Sequence, residues 1–263
     1  MSVPESFYRE TIDLNRFSNR VAREIITNYN DVILDLTNQL AVIDEVTAPA
    51  TVARIRAMLA TMKDSLETWS GSSTAVMIEQ LNSLAIFQTD FVASELRKVF
   101  PSGDIPINVV SVSPDFARSV VTTDPTRINI LNLPNQLEPA VQRGFSLTAL
   151  KGSQITLPNG AVVEKAFRGI ADSQADLITS QVRIGITEGE SMAKIGRRLR
   201  GRLQFGANQE MTAKAQRLAG GTGTKLANNQ VMAVVRTTVN QVQNAASQSV
   251  YQANSDITAK YQY

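Results

Sequence analysis

Leu14-Asn15-Arg16-Phe17-Ser18-Asn19-Arg20-Val21-Ala22-Arg23-Glu24-Ile25-Ile26-Thr27-Asn28-Tyr29 is the stretch on which the fold turns. Its apolar residues Leu14, Phe17, Val21, Ile25 and Tyr29 return every third or fourth position, and the series continues through Val32, Leu36, Leu40 and Ile43. That is the period of one helical face. Arg16, Arg20, Arg23, Asp31 and Asp35 fall on the other face. The spacing predicts one helix over 5–46, roughly 60 Å long at about 1.5 Å per residue. A globular helix usually runs about 8–20 residues, so this one requires a hairpin or bundle partner.

The partner follows in the sequence. Thr47-Ala48-Pro49 is a break, and Pro49 suits a first helical turn. Val52, Ile55, Leu59, Met62, Leu66 and Trp69 then form a second stripe, which Ser70-Gly71-Ser72-Ser73 is expected to end. Met77, Leu81, Leu84, Phe87, Phe91 and Val99 form a third, closed by Pro101-Ser102-Gly103. Amphipathic helices with short connections predict an antiparallel hairpin or bundle over 1–103.

The second region, 104–263, is mixed. Ile107-Asn108-Val109-Val110-Ser111-Val112 is rich in β-formers, and 136–150 is expected to hold a short helix. Gln154 to Val163 reads as a small hairpin around Asn159-Gly160. Phe167, Ile170, Leu177, Ile178 and Ile184 give a helical stripe expected to stop at Gly185, and Met192, Ile195 and Leu199 point inward from a further helix. A long loop is expected over 201–229. Its Ala219-Gly220-Gly221-Thr222-Gly223-Thr224-Lys225 superficially resembles a phosphate loop, but Thr224 precedes Lys225 and Leu226 follows it, so the spacing fails and a linker is the better reading. A last helix, about 229–256, has a thin stripe of Val231, Val235, Val239, Val242, Ala246, Val250 and Ala253. So narrow a face buries little area per turn and calls for partners on more than one side. The fold class expected is mainly α, with a small β-hairpin as a minor element.

Composition narrows the chemistry. The 263 residues include no Cys and no His, with 43% apolar and 19% charged residues. Disulfides, Cys/His metal sites and Ser-His or Cys-His catalytic pairs are thereby excluded. No run approaches the ~20 apolar residues of a membrane span. The opening Met1-Ser2-Val3-Pro4-Glu5 carries no basic stretch before an apolar one, so no secretory leader is expected there. Net charge is +2, but between Arg183 and Lys225 nine Lys/Arg stand against three acids. Arg197, Arg198, Arg200 and Arg202 concentrate that charge. They suit phosphate contact, or an acidic protein surface and the C-terminal end of a helix. Phe205 is the one aromatic residue nearby, so base stacking is not indicated. No pair of carboxylates stands out as an acid/base set. Glu188 and Glu190 read as charge at the start of the next helix, Ser191 as its cap, and Trp69 as core.

Ile184-Gly185-Ile186-Thr187-Glu188-Gly189-Glu190-Ser191-Met192-Ala193-Lys194-Ile195 resembles the I-x-x-G-x-S-x-x-x-I segment of the minor head, or head morphogenesis, proteins of tailed bacteriophages, the Mu F-like family. In that family a later helix carries Arg-Thr-Glu followed by Asn and Ala positions. Val235-Arg236-Thr237-Thr238-Val239-Asn240 and Asn244-Ala245-Ala246 resemble it, with Thr238 where the family has Glu. The resemblance covers about the last hundred residues and rests on Ile184, Gly185, Gly189, Ser191, Ile195, Arg236, Thr237 and Asn240. It implies a non-enzymatic virion protein at the portal vertex of the head, assembled in the host cytoplasm. Several copies would sit around a portal ring, touching the portal protein, the major capsid protein and packaged double-stranded DNA, with no cofactor. Many members of that family continue into a segment with Trp, Asp and Cys-x-x-Cys-like residues, which the sequence ending Tyr261-Gln262-Tyr263 does not contain, whether by divergence or by trimming. Two other readings stand beside it: an internal or ejected DNA-associated virion protein, and an enzyme working through carboxylates.

Overall fold

The computed structural model describes residues 3–41, 49–99, 107–122, 128–129, 154–155, 163–199 and 223–258. Helix α1 (Val3–Ala41) realises the opening stripe, burying Leu14, Val21, Ile25, Tyr29, Leu36 and Leu40. Helix α2 starts at Pro49 as its fixed φ favours and runs unbroken to Val99. The break expected at Ser70–Ser73 does not occur. Ser72 Oγ donates to Trp69 O and Thr74 Oγ1 to Ser70 O, so the hydroxyls bond back to their own helix instead of opening it. Two long helices therefore stand where three were expected.

After α2 come α3 (Phe116–Thr122), β1 (Ile128–Asn129), β2 (Gln154–Ile155), α4 (Val163–Thr187), α5 (Met192–Leu199), α6 (Gly223–Ala253) and α7 (Ser255–Thr258). The described residues are mainly helical. The β-rich run from Ile107 is not a strand. The hairpin around Asn159-Gly160 is not seen: Gln154–Ile155 pairs antiparallel with Ile128–Asn129, and Val163 already begins α4. Residues 156–162, the helix expected over 136–150 and most of the 201–229 loop lie outside the described residues. Helix α6 begins at Gly223, six residues before the expected start, so Gly223, Thr224 and Lys225 are helical rather than linker.

The chain divides into two compact units, interleaved along the sequence. Unit 1 takes Met1–Asn19, Ala75–Val163 and Val235–Tyr263, and unit 2 takes Arg20–Thr74 and Glu164–Val234. Helices α1, α2 and α6 each supply a segment to both.

Unit 2 is organised by aromatic contacts. Tyr29 on α1 meets Trp69 on α2 edge-on, with ring centroids 5.3 Å apart, and Trp69 meets Phe167 on α4 at 5.9 Å. The polar handles of the rings are used too. Trp69 Nε1 donates to Ile25 O at 3.1 Å, and Tyr29 Oη donates to Gln174 Oε1 at 2.9 Å. Burial raises the Tyr29 phenol above its usual range, so this hydroxyl keeps its proton and remains a donor.

Unit 1 is organised by amides. Val92, Ala93, Ile107, Val110, Val250 and Ala253 form its apolar cluster. Beside it Asn254, fully buried, accepts from Asn108 N at 2.8 Å and donates to Asn108 O at 3.0 Å, as a neighbouring β-strand would. Asn108 donates in return to Ala253 O. On α2, Asn82 donates to Pro114 O and accepts from Ala117 N, capping the first turn of α3. The segment starting at Ile107 thus satisfies its buried backbone with side chains rather than with a sheet.

Trp69→Ala should cost about 3–5 kcal/mol in urea unfolding, and Trp69→Phe distinctly less, because the ring contacts partly survive. Asn254→Ala should cost about 1–3 kcal/mol, because it leaves the buried Asn108 N–H without an acceptor. A loss below about 0.5 kcal/mol in Asn254→Ala would contradict the pinning role.

Candidate functional site

The residues carrying the family resemblance fall into two sets. Those from Ile184 to Ile195 lie in unit 2 and form a helix–turn–helix corner. Helix α4 does not stop at Gly185 but continues to Thr187. Its stop is Gly189, at φ 67°, a left-handed conformation that glycine adopts without a Cβ penalty. Glu190 N donates to Gly185 O at 2.8 Å and Gly189 N to Ile186 O at 3.1 Å, the paired bonds that close a helix C-terminus. Ser191 then starts α5: its Oγ accepts from Lys194 N at 3.3 Å. Glu190 pairs with Lys194 across the same turn at 3.0 Å. Ile195 is fully buried, whereas Ile184 is 42% exposed and takes no part in the core. The Gly-x-Ser spacing is therefore a stop signal followed two residues later by a start signal.

Arg236, Thr237 and Asn240 lie in unit 1, on α6. Val235, Val239, Val242, Ala245, Ala246 and Val250 have no measurable exposure. Between Val235 and Val250 the exposed positions are Arg236, Thr237, Asn240, Asn244 and Gln248. Only Arg236 among them is charged. It is a surface residue, donating to Asn19 Oδ1 at 3.3 Å, and not a buried partner of a carboxylate. Thr238, where the family has Glu, is buried, and its Oγ1 donates to Val235 O at 3.1 Å. Thr238 thus falls in the core together with the matching Ala245 and Ala246, while Arg236, Thr237 and Asn240 fall on the surface.

A further polar group was not visible in the sequence. Glu10 on α1 and Glu95 on α2 are 7% and 3% exposed, in the same interior region of unit 1. Gln243 Nε2 donates to Glu10 at 3.3 Å, Gln88 Nε2 donates to Ser247 Oγ at 3.0 Å, and Lys98 pairs with Glu95. Burial raises the Glu10 carboxyl above its ordinary 4.5, the amides of Gln88 and Gln243 act the other way, and the charge of Glu95 adds to the rise. Burial and the charge of Glu10 likewise raise the Tyr251 phenol. The stripe Met77, Leu81, Leu84 pointed toward Phe87 and Phe91. In the structure Phe91 is half-buried against the Val92 cluster, but the buried face also takes in Gln88 and Glu95, and Phe87 is 57% exposed. A buried polar residue at helical spacing is the only sequence signal this layer offers, and apolar periodicity does not detect it.

Arg197 and Arg198 belong to α5, while the placement of their side chains and all of Arg200 and Arg202 lie outside the described residues. Unit 2 has a cavity of about 270 Å³ lined by Lys63, Glu67, Ser70, Arg168 and Asp172. Its charges alternate in sign at i,i+4 spacing along both helices, as on ordinary exposed helix surfaces. Among the described residues no group of three or more acidic side chains is arranged to hold a metal ion, and no helix is long and apolar enough to cross a membrane. Comparisons of the chain with protein-family profiles, curated proteins and solved structures find no match.

Two glycine substitutions should have opposite signs. Gly189→Ala forces a Cβ into left-handed backbone and should lose about 1–2 kcal/mol. Gly71 lies inside α2 with no atom within 4 Å of an added Cβ, so Gly71→Ala should gain about 0.5–1 kcal/mol. Paired chemical denaturation curves check both.

Proposed function

We propose that this protein is a non-enzymatic structural component of a tailed-bacteriophage head, a portal-associated minor head protein of the Mu F-like kind. It assembles in the host cytoplasm in several copies around the portal ring. The observation that carries the reading is the surface of α6 in unit 1. The matching residues Arg236, Thr237 and Asn240 occupy the face that the protein's own core leaves exposed. Over 235–250 that face is free of carboxylates and Lys, as surfaces buried by a partner usually are, since burying an unpaired ion is costly. Arg is the charged residue such interfaces tolerate best. The Gly189–Ser191 corner supports the same reading only in that two of the matching residues sit there in one capped turn.

The test is co-purification with the portal protein encoded beside it, in low and high salt, with particle mass measured. A salt-resistant complex of defined stoichiometry is expected. Asn240→Glu should weaken it at least about tenfold, a loss of ~1.4 kcal/mol, while leaving the helical circular dichroism unchanged. A monomer that ignores the portal but binds double-stranded DNA with steep salt dependence would overturn the reading in favour of an internal DNA-associated protein.

A further inference from the structure

Three helices of unit 1 bring acids and amides into one interior layer. Glu10 comes from α1, Gln88 and Glu95 from α2, and Gln243 and Tyr251 from α6. The layer is short of donors. Glu95 Oε2 and Gln88 Oε1 are buried without a hydrogen-bond partner. The ammonium of Lys98 reaches Glu95 from a side chain that is itself about half exposed, and solvent screens much of its charge. Two ionised carboxylates here would repel each other in a medium of low dielectric while acceptors go unpaired. A single proton removes one charge and converts one acceptor into a donor.

We propose that the Glu10–Glu95 layer is a proton-operated latch: protonation tightens the packing of α1, α2 and α6 within unit 1, and deprotonation loosens it. This does not rest on the virion reading. Among the described residues the titratable groups facing Glu10 are Glu95, with Lys98 upon it, on α2, and Tyr251 on α6. Tyr251 is held above its usual 10 and keeps its proton throughout. The Glu10 carboxyl is held above 4.5, so the folded unit binds this proton more tightly than the unfolded chain does. The stabilisation is complete below about 4.5 and is lost as pH rises through the folded value, the reverse of ordinary acid destabilisation.

Hydrogen exchange of the full chain tests this at about pH 8 and about pH 4.5, corrected for the intrinsic exchange rate. Peptides covering 239–253 should be several-fold more protected at the lower pH, while peptides covering 167–182 in unit 2 serve as the reference. Glu10→Gln carries a neutral donor permanently and should be well protected at both values, with no pH slope. Should that variant fold poorly, Glu95→Gln gives the second test, with a reduced slope expected. Equal protection of wild-type 239–253 at both pH values, or an unchanged slope in both variants, would overturn the proposal. So would protection at about pH 8 restored by added Ca²⁺, which would make the layer a cation site instead.

Discussion

Trp69 has to satisfy two demands at once, and unit 2 follows from how it does so. Its ring must lie edge-on between Tyr29 and Phe167, and its N–H must reach a carbonyl. The acceptor is Ile25 O, in the middle of α1, so the indole fixes how far along α1 the second helix sits. The ring contact to Phe167 then sets α4 against both. A purely aliphatic seam could slide by a turn at modest cost; an aromatic ring with a directional bond cannot.

Unit 1 solves the same problem with different chemistry. Its apolar cluster is small and built largely from Val and Ala, which bury little area each. Specificity comes from amides: Asn108 and Asn254 bind buried backbone groups, Gln243 binds the buried Glu10, and Asn82 caps the first turn of α3 nearer the surface. An amide carries both donor and acceptor, so one Asn can replace both bonds of a missing strand, as Asn254 does for Asn108. The cost of such a core is that any acceptor left over has no escape to solvent. Gln88, Glu95, Asn108, Gln241 and Gln252 each keep one such acceptor.

The long stripes were legible because burial and hydrophobicity coincide along them. α1, the start of α2 at Pro49 and the Val/Ala face of α6 follow directly from spacing. Trp69 as core and Ser191 as cap were legible for the same reason, each having one cheap role open to it. What could not be read is where local signals were overruled. Ser70-Gly71-Ser72-Ser73 looks like a break because serine competes for backbone bonds, yet within a helix already nucleated on both sides the Ser72 hydroxyl bonds back to Trp69 O and the helix continues. Gly185 and Gly189 are both plausible stops by composition, and only the backbone angle tells them apart. The Ile107 run has strand propensity, but none of the described strands pairs with it, and two asparagines take the strand's place. Glu10 and Glu95 were invisible because their burial depends on partners more than seventy residues away in sequence.

The same physics separates what the family-like residues can say about fold from what they can say about function. Gly189 and Ser191 are explained fully by helix capping: a left-handed residue closes one helix, and a hydroxyl opens the next. Any protein needing that corner can use the same two residues at that spacing, so the corner speaks to local geometry and not to function. Arg236, Thr237 and Asn240 are different. Capping does not require them, the core does not contain them, and a solvated helix face would ordinarily carry more charge. Thr238 sharpens the contrast. Its hydroxyl is satisfied by its own helix, and a carboxylate in that fully buried position would need a cationic or donor partner. Thr238 is thus dictated by the chain's own interior, whereas Arg236, Thr237 and Asn240 are not. The functional argument rests on that exposed face of α6.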